Sequence, residues 1–104
     1  MPIKTLNFNT EVFNEKVEVS CSTCSEINND FFTIEKSMDL KNWEIAGKLY
    51  GAGNSNKLIY YKITDNNHFY GNSFYRLKQT DFDGKSTYSE AVKIFVTYKF
   101  TKNN

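Results

Sequence analysis

"KVEVSCSTCSEINNDFFTIEKS", residues Lys16 to Ser37, begins and ends on alternating apolar and polar side chains. In its first third Val17, Val19 and Cys21 share one face of an extended chain, and in its last third Phe32 and Ile34 do the same. Between them stand Glu26 and also Ser25, Asn28, Asn29 and Asp30, the last four residue types that favour turns because their side chains bond nearby backbone. The stretch predicts two strands, Lys16–Thr23 and Phe31–Ser37, joined by a polar loop.

The same alternation continues on both sides. It predicts further strands over Ile3–Thr10, Trp43–Tyr50, Leu58–Thr64, Ser73–Thr80 and Thr87–Tyr98. Turn signals separate them: "SMDLKN", "GAGNSN", "DNNHFYGN" and "DFDGKS". Asp83-Gly84 is the sharpest, since glycine tolerates the positive φ that a tight hairpin needs. No segment carries a sustained 3.6-residue apolar period, so little or no helix is expected. Seven short strands in 104 residues predict an all-β fold, a seven-stranded antiparallel β-sandwich. Its expected core is Val17, Val19, Phe32, Ile34, Trp43, Ile63, Tyr75, Leu77 and Val92. A single domain is expected over residues 1–100, with a frayed tail at 101–104.

Composition excludes several classes. Thirteen basic and twelve acidic side chains leave a net charge of +1, which lacks the basic excess of a nucleic-acid binder. No apolar run approaches the about 20 residues that span a bilayer. "MPIKTLNFNTEVF" has no signal-peptide core, so the expectation is either a cytosolic protein or a piece of a longer exported one.

The two cysteines lie three positions apart at Cys21 and Cys24. In an extended chain that spacing holds their Cα atoms about 10 Å apart and points the side chains to opposite faces. A disulfide tolerates at most about 7 Å, so a bridge requires the strand to break at Ser22-Thr23. A zinc site needs two more ligands, and the only histidine is His68. A redox pair of the thioredoxin kind wants a helix after its first cysteine. Two unpaired thiols are the expectation, Cys21 buried and Cys24 more accessible.

Other candidates are weaker. Asp81-Phe82-Asp83-Gly84 resembles the start of a calcium loop but lacks the third acidic position and the distal glutamate, and a hairpin turn capped by Asp side chains explains it better. Glu26 and Asp30 form a second carboxylate-rich patch in the loop expected after the second strand. His68 has no nucleophile or acidic partner at a motif spacing and is expected on a surface loop. The glycines of "GAGNSN" do not lead a strand into a helix and are expected to form a loop, not a phosphate cradle. No catalytic constellation, cofactor motif or metal set emerges. The aromatics are open to a functional role. Phe74 and Tyr60 are expected to face outward, and Tyr50 and Tyr70 to sit in or beside loops, where exposed rings can stack on sugars or anchor a partner.

Three blocks carry a family resemblance: "SEINNDFFTIEKS" from Ser25, "GAGNS" from Gly51, and "YRLKQTDFDGK" from Tyr75 with Tyr88-Ser89 after it. From Val17 to Val92 the chain resembles the fibronectin type III-like, immunoglobulin-like sandwich domains of secreted Bacteroidetes proteins. Such domains often stand just ahead of a type IX secretion sorting domain. The resemblance implies a secreted or cell-surface location as part of a longer precursor, and a non-catalytic spacer or interaction module. Its implied partners are neighbouring domains, with a glycan or cell-surface protein as the alternative that would use the outward aromatics. It implies a tyrosine-corner role for Tyr75 and, in the loop after the second strand, a Glu26 that accepts hydrogen bonds from backbone amides. It also marks two departures: the family usually has Trp where Cys21 stands and Gly where Leu40 stands.

Overall fold

A computed structural model describes residues 3–97. Strands make up 74% of the described residues and none are helical. The order is β1 (Ile3–Phe13), β2 (Lys16–Ser37), β3 (Glu44–Ser55), β4 (Ile59–Asp65), β5 (Gly71–Asp81), β6 (Ser86–Tyr88) and β7 (Val92–Val96). Every pairing is antiparallel, and all seven strands belong to one connected sheet that curls into a half-barrel.

β2 organises the molecule. Its first half lies between β1 and β4, with Val19 opposite Thr10 on one side and Ile63 on the other. Its second half lies between β3 and β5, with Ile34 opposite Gly47 and Leu77. Fully extended, 22 residues would reach about 70 Å. The molecule is only 54 Å in its longest dimension, so the strand must bend. It does so where the register slips around Asn29 and where Asn28 takes a left-handed φ of 55°. The Asn28 carbonyl accepts the Phe82 N–H at 3.0 Å, and the Asn28 N–H donates to Asn54 Oδ1 at 3.0 Å, tying the bend to both neighbouring segments.

The loop expected between Thr23 and Phe31 is therefore strand. Pairing continues through it, with Glu26 opposite Ser55 and Asn29 opposite both Gly53 and Asp81. Of the polar side chains that suggested a loop, Glu26 and Asn29 are buried and bond each other at 2.8 Å, while Asn28 stays exposed at the bend. The "GAGNSN" segment is likewise strand over Gly51–Ser55, and Gly51 is needed there for space. A Cβ at Gly51 would stand 2.1 Å from Asn29 Nδ2 and 2.9 Å from the Asn29 carbonyl oxygen.

The expected final strand, Thr87–Tyr98, divides into β6 and β7, and Tyr98 lies outside the described residues, as does the tail at 101–104. Ser89 makes the break: its N–H donates to the Leu77 carbonyl and its Oγ accepts the Leu77 N–H, both at 2.8 Å. Thus β6 pairs with Lys78–Thr80 and β7 with Gly71–Tyr75.

Two turns rely on left-handed residues. Asn14 (φ 53°) and Glu15 (φ 62°) form the two-residue connection from β1 to β2, the conformation whose twist suits a hairpin. Between β2 and β3, the Asp39 carboxylate accepts the N–H groups of Asn42 and Lys41, each at 2.8 Å, which hold it well below the usual carboxylate range. That turn places Leu40 at φ 65°, an uncomfortable region for a side chain with a Cβ. Leu40 is half exposed, so little packing is lost with it. Leu40→Gly should raise unfolding stability by about 1 kcal/mol, a Tm increase of roughly 5 °C in a thermal melt.

The core draws on both halves of β2. Val17, Val19 and Cys21 face Phe32, Ile34, Tyr75, Leu77 and Val96, with Phe8, Ala46, Leu49, Tyr61, Ile63 and Ile94 packed around them. Six of the nine expected core residues are fully buried, and Ile63 packs against them. Trp43 and Val92 are only half-buried. Trp43 precedes β3 and stacks on Arg76, as described below. Cys21 lies opposite Phe8 and Tyr61, and Tyr61 meets Phe32 edge-on at 5.2 Å, so aromatic rings pack around the small thiol.

Candidate functional site

Alternation assigns each aromatic to a face. Tyr50 lies within β3, not in a loop, because the strand continues to Ser55; it is 73% exposed and opposite Phe31. Tyr60 is 75% exposed but stands opposite Ser22, on the outer surface of the other half of β2. Tyr70 is in the turn before β5, edge-on to His68 at 5.0 Å. Phe74 faces outward but is half-buried, opposite Ser37 and Lys93. Phe31 and Ser37 are six residues apart on β2, which separates Tyr50 from Phe74 by about 20 Å. The four candidates do not converge on one site.

A different set does converge on the outer face of β3, the second half of β2, β5 and β6. Thr33 lies opposite Lys48 on one side and Lys78 on the other, and Lys78 lies opposite Tyr88, forming one row across four strands. The flanking rows bring Phe31 beside Tyr50 and Glu35 beside Ile45 and Arg76. Lys48 Nζ sits 4.1 Å from the Phe31 ring centre and 5.2 Å from that of Tyr50. The Arg76 guanidinium lies between Trp43 at 4.0 Å and Tyr88 at 4.2 Å, while its Nε donates to Glu35 Oε1 at 2.7 Å. Lys78 Nζ is 5.7 Å from the Tyr88 ring. Cations over ring faces are attracted by the ring quadrupole, most strongly where water is partly excluded. Glu35 neutralises Arg76, but neither Lys48 nor Lys78 forms an ion pair among the described residues.

Sequence reasoning missed this face apart from Tyr50. Alternation alone puts Arg76 and Lys78 on one side of β5. Their meeting with Tyr88 depends on the β5–β6 register, which the short hairpin around Gly84 (φ 90°) sets. In that turn Asp83 Oδ1 accepts the Lys85 N–H at 2.9 Å, and Asp81 accepts the Gly84 N–H through its carbonyl at 2.9 Å and Gln79 Nε2 through its carboxylate at 2.6 Å. No group of three or more His, Cys, Asp or Glu that could hold a metal ion occurs among the described residues.

Beneath the bend of β2 lies the most polar part of the interior. Glu26 is 1% exposed and accepts four hydrogen bonds, from Thr23 Oγ1 at 2.7 Å, Asn29 Nδ2 at 2.8 Å, the Ala52 N–H at 2.9 Å and Tyr61 OH at 2.6 Å. One of these is the expected backbone amide; the other three come from side chains. Burial alone would favour the protonated acid, but the bonds from Asn29, Tyr61, Thr23 and Ala52 outweigh it and hold the group below its ordinary value. Asn29 is held in turn by Gln79 Nε2 at 3.0 Å. With its acceptor capacity occupied by the fold, this carboxylate is a structural hub.

Both cysteines are free, Cys21 buried and Cys24 half-buried. Burial first, and then the charge of Glu26, push the Cys21 thiol up to about 11, so it behaves as a small apolar side chain. His68 lies in the loop between β4 and β5 and is half-buried there, with its Nε2 2.7 Å from the Glu15 carbonyl of the β1–β2 turn. Among the described residues no helix is long and apolar enough to cross a membrane. No family model, no curated protein and no solved structure matches the chain.

Proposed function

We propose that the chain is a fibronectin type III-like β-sandwich acting as a non-catalytic accessory module of a larger exported protein, secreted or displayed at the cell surface. The related domains would be those that precede type IX sorting domains in Bacteroidetes. The observation that carries this reading is the division of partners along β2. One half pairs with β1 and β4, and the other with β3 and with β5, which also carries β6 and β7. If β6 and β7 count as one interrupted strand, these pairings would supply three strands for one layer of a seven-stranded sandwich and four for the other, around the shared core. Leu40 adds support, since its left-handed φ is one that the glycine typical of the resembling domains would adopt freely. Tyr75 is buried, and its hydroxyl donates to Asp65 Oδ2 at 2.7 Å, a side-chain version of the tyrosine corner, in which the hydroxyl bonds upstream backbone.

Such a module would space neighbouring domains and contact them through its outer faces. Epitope-tagging the parent protein in its native cell, followed by fractionation and protease treatment of intact cells, tests the proposal. The tag should appear in the medium or be removed from the surface; a tag protected inside the cytoplasm would overturn it.

A further inference from the structure

We propose that the outer face centred on Thr33 binds an anionic polysaccharide of the uronate type, lying across the strands along the row Lys48, Thr33, Lys78 and Tyr88. This goes beyond the accessory-module reading and stands or falls separately from it. Charge comes first. Arg76 is neutralised by Glu35 at 2.7 Å, whereas Lys48 and Lys78 have no carboxylate partner among the described residues. Their backbone positions flank Thr33 directly, so they stand two strand spacings apart, about 10 Å. That is the scale of two sugar rings end to end, which lets successive or alternate carboxylates of one chain meet both ammonium groups.

Next to each lysine is an exposed tyrosine: Tyr50, 73% exposed, beside Lys48, and Tyr88, 52% exposed, beside Lys78. A uronate residue offers both matching groups, a flat C–H face to stack on the ring and a carboxylate for the neighbouring cation. Thr33 between them is small and, at 6% exposure, covered by its neighbours, so a ligand on this row meets the two ammonium groups and the rings beside them. Arg76, clamped by Trp43, Tyr88 and Glu35, holds the Tyr88 ring in position before any ligand arrives. A flexible acidic peptide has no flat apolar faces for the two tyrosines. A nucleic acid would need more than two free cations from a chain of net charge +1.

Calorimetric titration at low salt with a galacturonate hexamer tests the assignment, with a neutral maltose-series hexamer and a glutamate hexapeptide alongside. The galacturonate hexamer should bind, the other two much more weakly, and added salt should weaken binding. Lys48→Gln and Lys78→Gln should each lose about tenfold in affinity, and Tyr88→Ala a similar factor, whereas Tyr60→Ala on the opposite surface should not change it. Circular dichroism melts confirm that each variant is folded; the two lysine variants leave the rings intact and carry the test if Tyr88→Ala unfolds. No binding of the galacturonate hexamer, equal binding of the glutamate peptide, or undiminished affinity in the lysine variants would overturn the proposal. None of these outcomes bears on whether the domain is an exported accessory module.

Discussion

Replacing Glu26 with alanine should lower the unfolding free energy by about 4 kcal/mol, close to the largest effect a single side chain produces in a domain of this size. The loss does not come from the carboxylate alone. Thr23 Oγ1, Asn29 Nδ2, the Ala52 N–H and Tyr61 OH all donate to it, and each would be left without an acceptor in a region that excludes water. Glu26→Gln keeps the shape and one acceptor oxygen but turns an NH2 toward donors, and should cost about 2–3 kcal/mol. Urea unfolding at neutral pH measures both. The acid limb provides a second signature. The folded-state carboxyl ionises below its ordinary 4.5, so the unfolded chain takes up the proton first as pH falls. Its contribution is therefore complete above 4.5 and lost as pH drops through the lower folded value. A stability profile below 4.5 that is no flatter for Glu26→Gln than for the parent protein would refute the assignment.

The second large effect concerns the ion pair at the other end of the core. Lys36 is 2% exposed and Asp65 4%, with Lys36 Nζ 3.0 Å from Asp65 Oδ2 and also donating to the Asn67 carbonyl. Phe69 covers the ammonium at 5.0 Å. Tyr75 OH donates to the same carboxylate oxygen, and both burial and this neighbouring charge push the phenol's ionisation well above its ordinary range. Asp65→Ala strands a buried ammonium and a buried hydroxyl together, and should cost about 3–5 kcal/mol in thermal or denaturant unfolding. Lys36→Met combined with Asp65→Leu removes both charges and should recover most of that loss, since a buried pair repays little beyond its own desolvation. A double variant as unstable as Asp65→Ala would show that the pair contributes net stability, contrary to this expectation.

How far the sequence reveals such features depends on how local they are. The faces of Val17, Val19 and Cys21, of Phe32 and Ile34, and of Tyr75 and Leu77 follow from a two-residue period and need no knowledge of partners. The continuity of β2 does not. Asn28, Asn29 and Asp30 are turn-forming residues by local measure, and the segment stays strand because Ala52 and Tyr61 bond Glu26 and Gln79 bonds Asn29, from three other strands. Trp43 shows the same limit. A lone tryptophan before an apolar run suggests a core residue, but the β2–β5 pairing brings Arg76 beside Glu35 and leaves the ring stacked on the outside of the sheet. The row through Thr33 is legible only once both registers are known, because its members come from residues 33, 48, 78 and 88.

The passage of one strand through both halves of the core also has a mechanical meaning. In a molecule whose two layers are joined only by loops, a pull can slide one layer over the other while each stays intact. Here the two halves of one connected sheet share β2, which is laterally bonded to β1 and β4 along its first half and to β3 and β5 along its second. Sliding would have to strip hydrogen-bond ladders on both sides of a covalent backbone at once. A domain built this way resists shear as one stiff body, and transmits force along its length instead of absorbing it.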